Sequence, residues 1–243
     1  MFTRYSTRSF VFKNYGRGEV DQFFVVFSKD FGKLTILAKA ARKIASKLKG
    51  GMDLFSFSEM EFIQGKHNKT LVDARSIRAF PEIKKDLKAS SLAFRMAELF
   101  DQMIGKEEPD KNLWMLLKES FGMLGSRIFI ERKDDLVYYY FFWNLAAILG
   151  FKPALHSCAY CQGKIASEDI YFDSDSGGVV CSDCFKKERK GSRTSQDVIK
   201  IIRIILEKRP GMLARLKLSE DHFSGLKKIS EEFRLFLEQG RKT

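Results

Sequence analysis

The chain has 243 residues, 44% hydrophobic and 30% charged, an ordinary globular mixture that excludes a disordered or fibrous polymer. Its formal net charge of +12 points to a polyanionic partner, either nucleic acid or an anionic surface. No stretch stays apolar for the roughly 20 residues a spanning helix needs, and the N-terminus has no apolar signal core, so a cytoplasmic protein without a membrane segment is expected.

Residues 1–80 carry most of the charge, with 15 Lys and Arg against 7 Asp and Glu; the remaining 163 residues carry 28 against 24. The same segment breaks into short runs rich in Phe, Val, Ile and Thr, separated by Gly and Asp turns. Strands are expected at Thr7–Lys13, Gln22–Ser28, Lys33–Lys39, Leu54–Ile63 and Thr70–Phe80, with turns around Gly16-Arg17-Gly18, Asp30-Phe31-Gly32, Gly50-Gly51 and Gly65-Lys66-His67-Asn68. Five short strands in this length suit a small OB-fold barrel, an architecture often used to hold oligonucleotides. Just after the third strand comes a basic stretch, in which Lys39, Arg42, Lys43, Lys47 and Lys49 are the expected DNA-binding residues. Clustered cations neutralise successive phosphates and release counterions, which gives affinity without sequence preference. Phe2, Tyr5 and Tyr15 are available for base stacking, although strand aromatics belong to cores more often than to surfaces.

From Pro81 the period changes to helical spacing. Pro81 suits a first helical turn, and Leu87, Leu92, Met96, Leu99, Phe100 and Met103 form an apolar stripe that stops before Gly105. Further helices are expected at Lys111–Leu124 and Asp134–Leu149, the latter holding the apolar run from Tyr138 to Gly150 as a buried core helix. Beyond the cysteines, a helix over Ser195–Lys208 is expected to end at Arg209-Pro210-Gly211, and a last one to open at Ser219 and reach about Gln239. The fold class is therefore α+β and multidomain: a barrel over 1–80 and a helical domain over 81–243, with an inserted cysteine module at about 154–190.

The four cysteines form two pairs, Cys158-x-x-Cys161 and Cys181-x-x-Cys184, at the spacing of a zinc site. Each pair offers two thiolates from one turn, and a folded-back hairpin closes a tetrahedron around one Zn²⁺. A reducing cytoplasm disfavours two disulfides, and unrelated free thiols would not produce the pattern. Four thiolates leave no coordination position open for water, so the expected ion is structural. His156, two residues before Cys158, is read as a bystander or an outer group. No phosphate-cradling loop occurs, and His67, His156 and His222 lie far apart in sequence. A catalytic role is not expected. Two rival readings are a zinc-containing protein-interaction scaffold that binds no DNA, and a zinc-dependent nuclease or deaminase.

Several segments, in order, resemble the bacterial RecO family of DNA repair proteins. These are Tyr15-Gly16 with Glu19-Val20-Asp21, Phe27-Ser28-Lys29-Asp30-Phe31-Gly32-Lys33-Leu34, Ala38-Lys39-Ala40-Ala41-Arg42-Lys43, Leu149-Gly150-Phe151-Lys152-Pro153, and Gly177-Gly178 ahead of the second cysteine pair. The chain departs from the family pattern where Arg17-Gly18 lengthens the first turn. It departs again where Ala40 replaces a glycine, which argues against a left-handed backbone there. The resemblance implies an OB-fold barrel, a helical domain and a zinc-finger-like insert. It also implies binding of single- and double-stranded DNA, annealing of complementary strands, RecR and the single-stranded DNA-binding protein as partners, RecA as an indirect one, and a nucleoid-associated location in the bacterial cytoplasm.

Overall fold

The structure is a computed structural model that describes residues 3–41, 50–105, 108–130, 135–165, 169–207 and 210–240. Five strands, β1 (Arg4–Arg17), β2 (Asp21–Ser28), β3 (Gly32–Ala38), β4 (Phe57–Gln64) and β5 (Lys69–Arg78), close a barrel in the order β1-β2-β3-β5-β4. All five expected strands are present. β1 and β2 extend beyond their expected ends, because the strand pairing continues as far as Arg17↔Asp21 and leaves only Gly18 to Val20 for the turn. Gly18 has φ +59 there, a left-handed conformation that glycine adopts without steric cost.

A single solvated barrel face should read as alternating buried and exposed residues. Instead, Phe10, Val11 and Phe12 on β1 are all buried, so both faces of this strand are covered. Val11 points inward, in a core with Phe24, Val26, Leu34, Ile36, Met60, Phe62 and Leu71. Phe10 and Phe12 point outward and meet helices. The helices that follow the barrel are α1 (Pro81–Lys85), α2 (Leu87–Met103) and α3 (Lys111–Leu124), and the rings meet α2 and α3. Phe10 lies 4.4 Å from Phe121, Phe12 and Phe27 lie 5.4 and 5.3 Å from Phe100, and Phe57 lies 5.2 Å from Trp114, as ring-centroid distances. A bulge between Val11 and Lys13 leaves Phe12 outside the β1–β2 register and bends the strand there.

Capping fixes where the helices begin. Asp86 accepts from Ala89 N at 2.7 Å to open α2, and Asp110 accepts from Asn112 N and Leu113 N at 2.7 and 2.8 Å to open α3. By packing, the chain divides into two compact units, Met1–Glu131 and Arg132–Thr243. The first three helices thus belong to the same unit as the barrel, together with the short helix α4 (Arg127–Ile130).

The second unit is built on α5 (Leu136–Ile148), buried from Leu136 to Ala146 without a polar face, as a helix surrounded on all sides must be. Around it stand α7 (Gln196–Leu206) and α9 (Glu220–Gln239). Trp143 stacks on Phe233 at 5.1 Å and donates Nε1–H to Ser230 Oγ at 3.0 Å. Asn144 donates to the carbonyls of Tyr140 and Ile205. Ser195 caps α7 and Ser219 caps α9, where His222 Nδ1 in turn accepts from Ser219 N. The helix expected over Ser195–Lys208 ends at Leu206, and Pro210, expected as a stop, opens a further short helix, α8 (Pro210–Arg215), since proline is well placed in a first turn. The remaining elements are β6 (Ile170–Asp173), β7 (Gly178–Cys181), α6 (Ser182–Glu188) and β8 (Ser192–Thr194), the strands forming a sheet ordered β7-β6-β8. Among the described residues, no helix is long and apolar enough to cross a membrane.

Candidate metal centre and basic barrel

The first cysteine pair sits on a knuckle held by Cys158 N→Gly163 O and Gln162 N→Cys158 O, both 2.9 Å. Gln162 is forced to φ +59 at its tip. The second pair lies where β7 ends and α6 begins. Two bonds lace the approach to the knuckle onto β7: Ala159 N→Val179 O and Val179 N→Ala154 O, both 2.8 Å. Gly178 allows that closeness, since a Cβ there would lie 2.5 Å from Ala154 O.

The result is a cluster in which the Sγ atoms of Cys158, Cys161, Cys181 and Cys184 all lie within 4.8 Å of one another. A zinc–thiolate bond of about 2.3 Å places tetrahedral sulfurs roughly 3.8 Å apart, and Cys161 and Cys181 stand at 3.9 Å. The donor set therefore fits a tetrahedral, thiophilic metal ion. Cys158 is buried, which by itself raises a thiol's pKa. Backbone N–H groups of Cys161, Cys181 and Tyr160 oppose this and bring it down to about 6. Cys184 goes the other way, to about 12, through desolvation and through sharing its proton with neighbouring sulfurs. His156 is not in the cluster.

Two contacts around the cluster carry no signature that sequence reading singled out. Tyr160, inside the first pair, donates its hydroxyl to Asp173 Oδ2 at 2.8 Å, and Asp173 also accepts from Asp175 N and Ser176 N. Tyr171 of β6 stacks on Phe185 of α6 at 3.5 Å, steadying the helix that carries Cys184. The only hint of the first contact was a tyrosine between two cysteines.

On the barrel, Lys39 is exposed just after β3. The other four expected DNA-binding residues, Arg42, Lys43, Lys47 and Lys49, lie outside the described residues, as does Phe2. Ala40 corrects the expectation made for it: its φ is +54, left-handed despite the Cβ, and its N–H donates to Asp21 Oδ1 at 2.9 Å. That bond offsets the steric cost a glycine would have avoided. Lys33, part of the same basic run, is a packing residue, with Nζ 2.6 Å from Asp101 Oδ1 and bonded to the carbonyls of Asp101 and Ile104. Tyr5 stacks on Phe62 at 5.3 Å against the core, whereas Tyr15 is 46% exposed.

Comparison with known proteins places both units. Residues 1–80 match the family model "Recombination protein O N terminal", and residues 84–237 match "Recombination protein O C terminal". A protein named DNA repair protein RecO from Dehalococcoides mccartyi is 30% identical over 236 residues, covering 97% of this chain and 91% of the relative. Proteins of the same name from Acetivibrio thermocellus and Alkaliphilus metalliredigens are 28% and 26% identical, each covering 93% of this chain and 89% and 91% of their own lengths.

Proposed function

The chain belongs to the RecO family of DNA repair proteins, and from that membership we propose that it is a recombination mediator. It binds single- and double-stranded DNA without strong sequence preference, anneals complementary strands, and helps load a recombinase onto coated single strands. The observation that carries this reading is the charge of the barrel segment, where 15 cations face 7 acids. Lys39, Arg42, Lys43, Lys47 and Lys49 hold the DNA backbone. Two strands held on one basic surface repel each other less and meet at a raised local concentration, so pairing is accelerated. The work is done by binding, with no turnover.

The four thiolates hold one zinc ion, which supplies a cross-link in place of core for the small module and leaves no open position for chemistry. RecR and the single-stranded DNA-binding protein are the direct partners and RecA an indirect one, in the bacterial cytoplasm at the nucleoid. The test is annealing of complementary fluorescent oligonucleotides by the purified protein, without ATP, at low and moderate salt. Acceleration that weakens with salt and disappears when Arg42, Lys43, Lys47 and Lys49 are changed together to Ala is the expected result. No acceleration and no DNA binding at either salt would instead favour a zinc-containing protein-interaction scaffold.

A further inference from the structure

The mouth of the barrel opens into a cavity of about 460 Å³, within the range of small-ligand sites. Its floor is the barrel core itself, Phe24, Ala41 and Met52. On its wall stand Asn14 and Gln22. The pairings Asn14↔Phe24 and Gly16↔Gln22 put both amides on one face of the β1–β2 hairpin. Among the described residues, no side-chain hydrogen bond ties up either amide. The same cavity is lined by Phe94 of α2, which is 56% exposed. Its ring meets that of Phe55 at 5.0 Å between centroids and 80° between planes, and its exposure leaves ring surface open to a stacking partner. Phe55 in turn occupies φ +60, an unusual conformation for a bulky residue, and is held there by Phe55 N→Val11 O at 2.8 Å.

We infer that this cavity receives an unpaired nucleobase of single-stranded nucleic acid, stacked on Phe94 with its polar edge toward Asn14 and Gln22. The inference rests on the DNA-binding reading above and names a site within it. A base needs one flat aromatic face and donors and acceptors at its rim, and the cavity offers both. A side-chain amide can donate or accept, so this pair accommodates any base, in keeping with weak sequence preference. The cavity selects the base and not a phosphate. Its lysine, Lys84, is already paired with Asp53 at 3.1 Å, and the rest of its described lining is uncharged. Bases in a duplex are stacked away, so the site distinguishes single strands from double strands. The barrel's cations, by contrast, read both alike. Ala41 forms part of the wall, and Arg42 follows it directly in sequence, so phosphate contacts and base contact lie adjacent along the chain.

The test compares fluorescence anisotropy of a labelled oligothymidylate with that of an abasic oligomer of equal length and phosphate number, over a salt series with the full-length protein. Wild type is expected to prefer the base-bearing strand by about tenfold, the scale of one aromatic stack. Phe94→Ala removes that preference and leaves the salt slope unchanged, while Phe94→Trp keeps it. Matching circular dichroism melts show that the variants fold, as expected for a residue this exposed. Equal wild-type affinity for the two oligomers, or an undiminished preference in Phe94→Ala, overturns the base site while the DNA-binding reading stands. Binding of neither oligomer at low salt overturns both.

Discussion

Asp101 receives Lys13 of β1 and Lys33 of β3, two strands on either side of β2, at 2.9 and 2.6 Å, and so ties α2 to the sheet through charge. Burial pushes its carboxyl toward the neutral form. The hydrogen bonds from Lys33 and Lys13 outweigh this and hold its pKa below the usual carboxylate range. A carboxylate whose pKa is lowered on folding adds stability above its unfolded value, about 3.9. That stability is lost as the pH falls through the lower folded value. Asp101→Asn is therefore expected to cost about 1–2 kcal/mol at pH 7, with Lys13 the more solvent-screened partner. The cost should shrink toward zero in strong acid. Urea unfolding at the two pH values checks this; an equal deficit at both would mean that packing, and not charge, is what the substitution removed.

On the proposed zinc assignment, the cysteine module is the element that rests on a single ion. Its strands β6 and β7 have four residues each and β8 three, too short to hold a fold by themselves. Covalent or metal cross-linking is the usual compensation for so small a core. Tyr160–Asp173 and Tyr171–Phe185 brace the two knuckles, but neither contact replaces the cross-link that four proposed thiolate ligands would make. Cys181→Ser is expected to reduce zinc from one per chain to substoichiometric levels, measured by elemental analysis. It should also lower the melting temperature of the Arg132–Thr243 unit relative to wild type. Full metal content in the variant would contradict the four-thiolate assignment.

At the scale of the whole molecule, the barrel's outer phenylalanines decide what folds with what. Phe10, Phe12, Phe27 and Phe57 are at most 5% exposed and are covered by α2, α3 and the turn at Phe80. Uncovering four Phe side chains forfeits roughly 6–12 kcal/mol, as much as a typical domain's entire stability of about 5–15 kcal/mol. A fragment of residues 1–80 is therefore expected to aggregate or to bind an apolar dye without a cooperative melt, whereas residues 1–131 should melt cooperatively. Calorimetry of the two fragments distinguishes the cases, and a cooperative, soluble 1–80 would show that the helices are dispensable to the barrel.

Strand runs, turn residues, helical apolar spacing and cysteine spacing were legible because each is a local pattern whose physics acts within a few residues. The five strands, the helix starts near Ser195 and Ser219, the buried helix over Leu136–Ile148 and the clustering of the four cysteines all follow from such patterns. Which side of a strand each phenylalanine faces was not legible, because Phe10 and Val11 are equally apolar and only the helices packed outside the barrel separate their roles. Ala40 was misread for the same reason: its left-handed turn is held by Asp21, 19 residues earlier. The cavity at the barrel mouth joins residues of β1, β2, α1 and α2. Its existence depends on contacts between segments far apart in the chain, and such contacts are decided only when the tertiary structure forms.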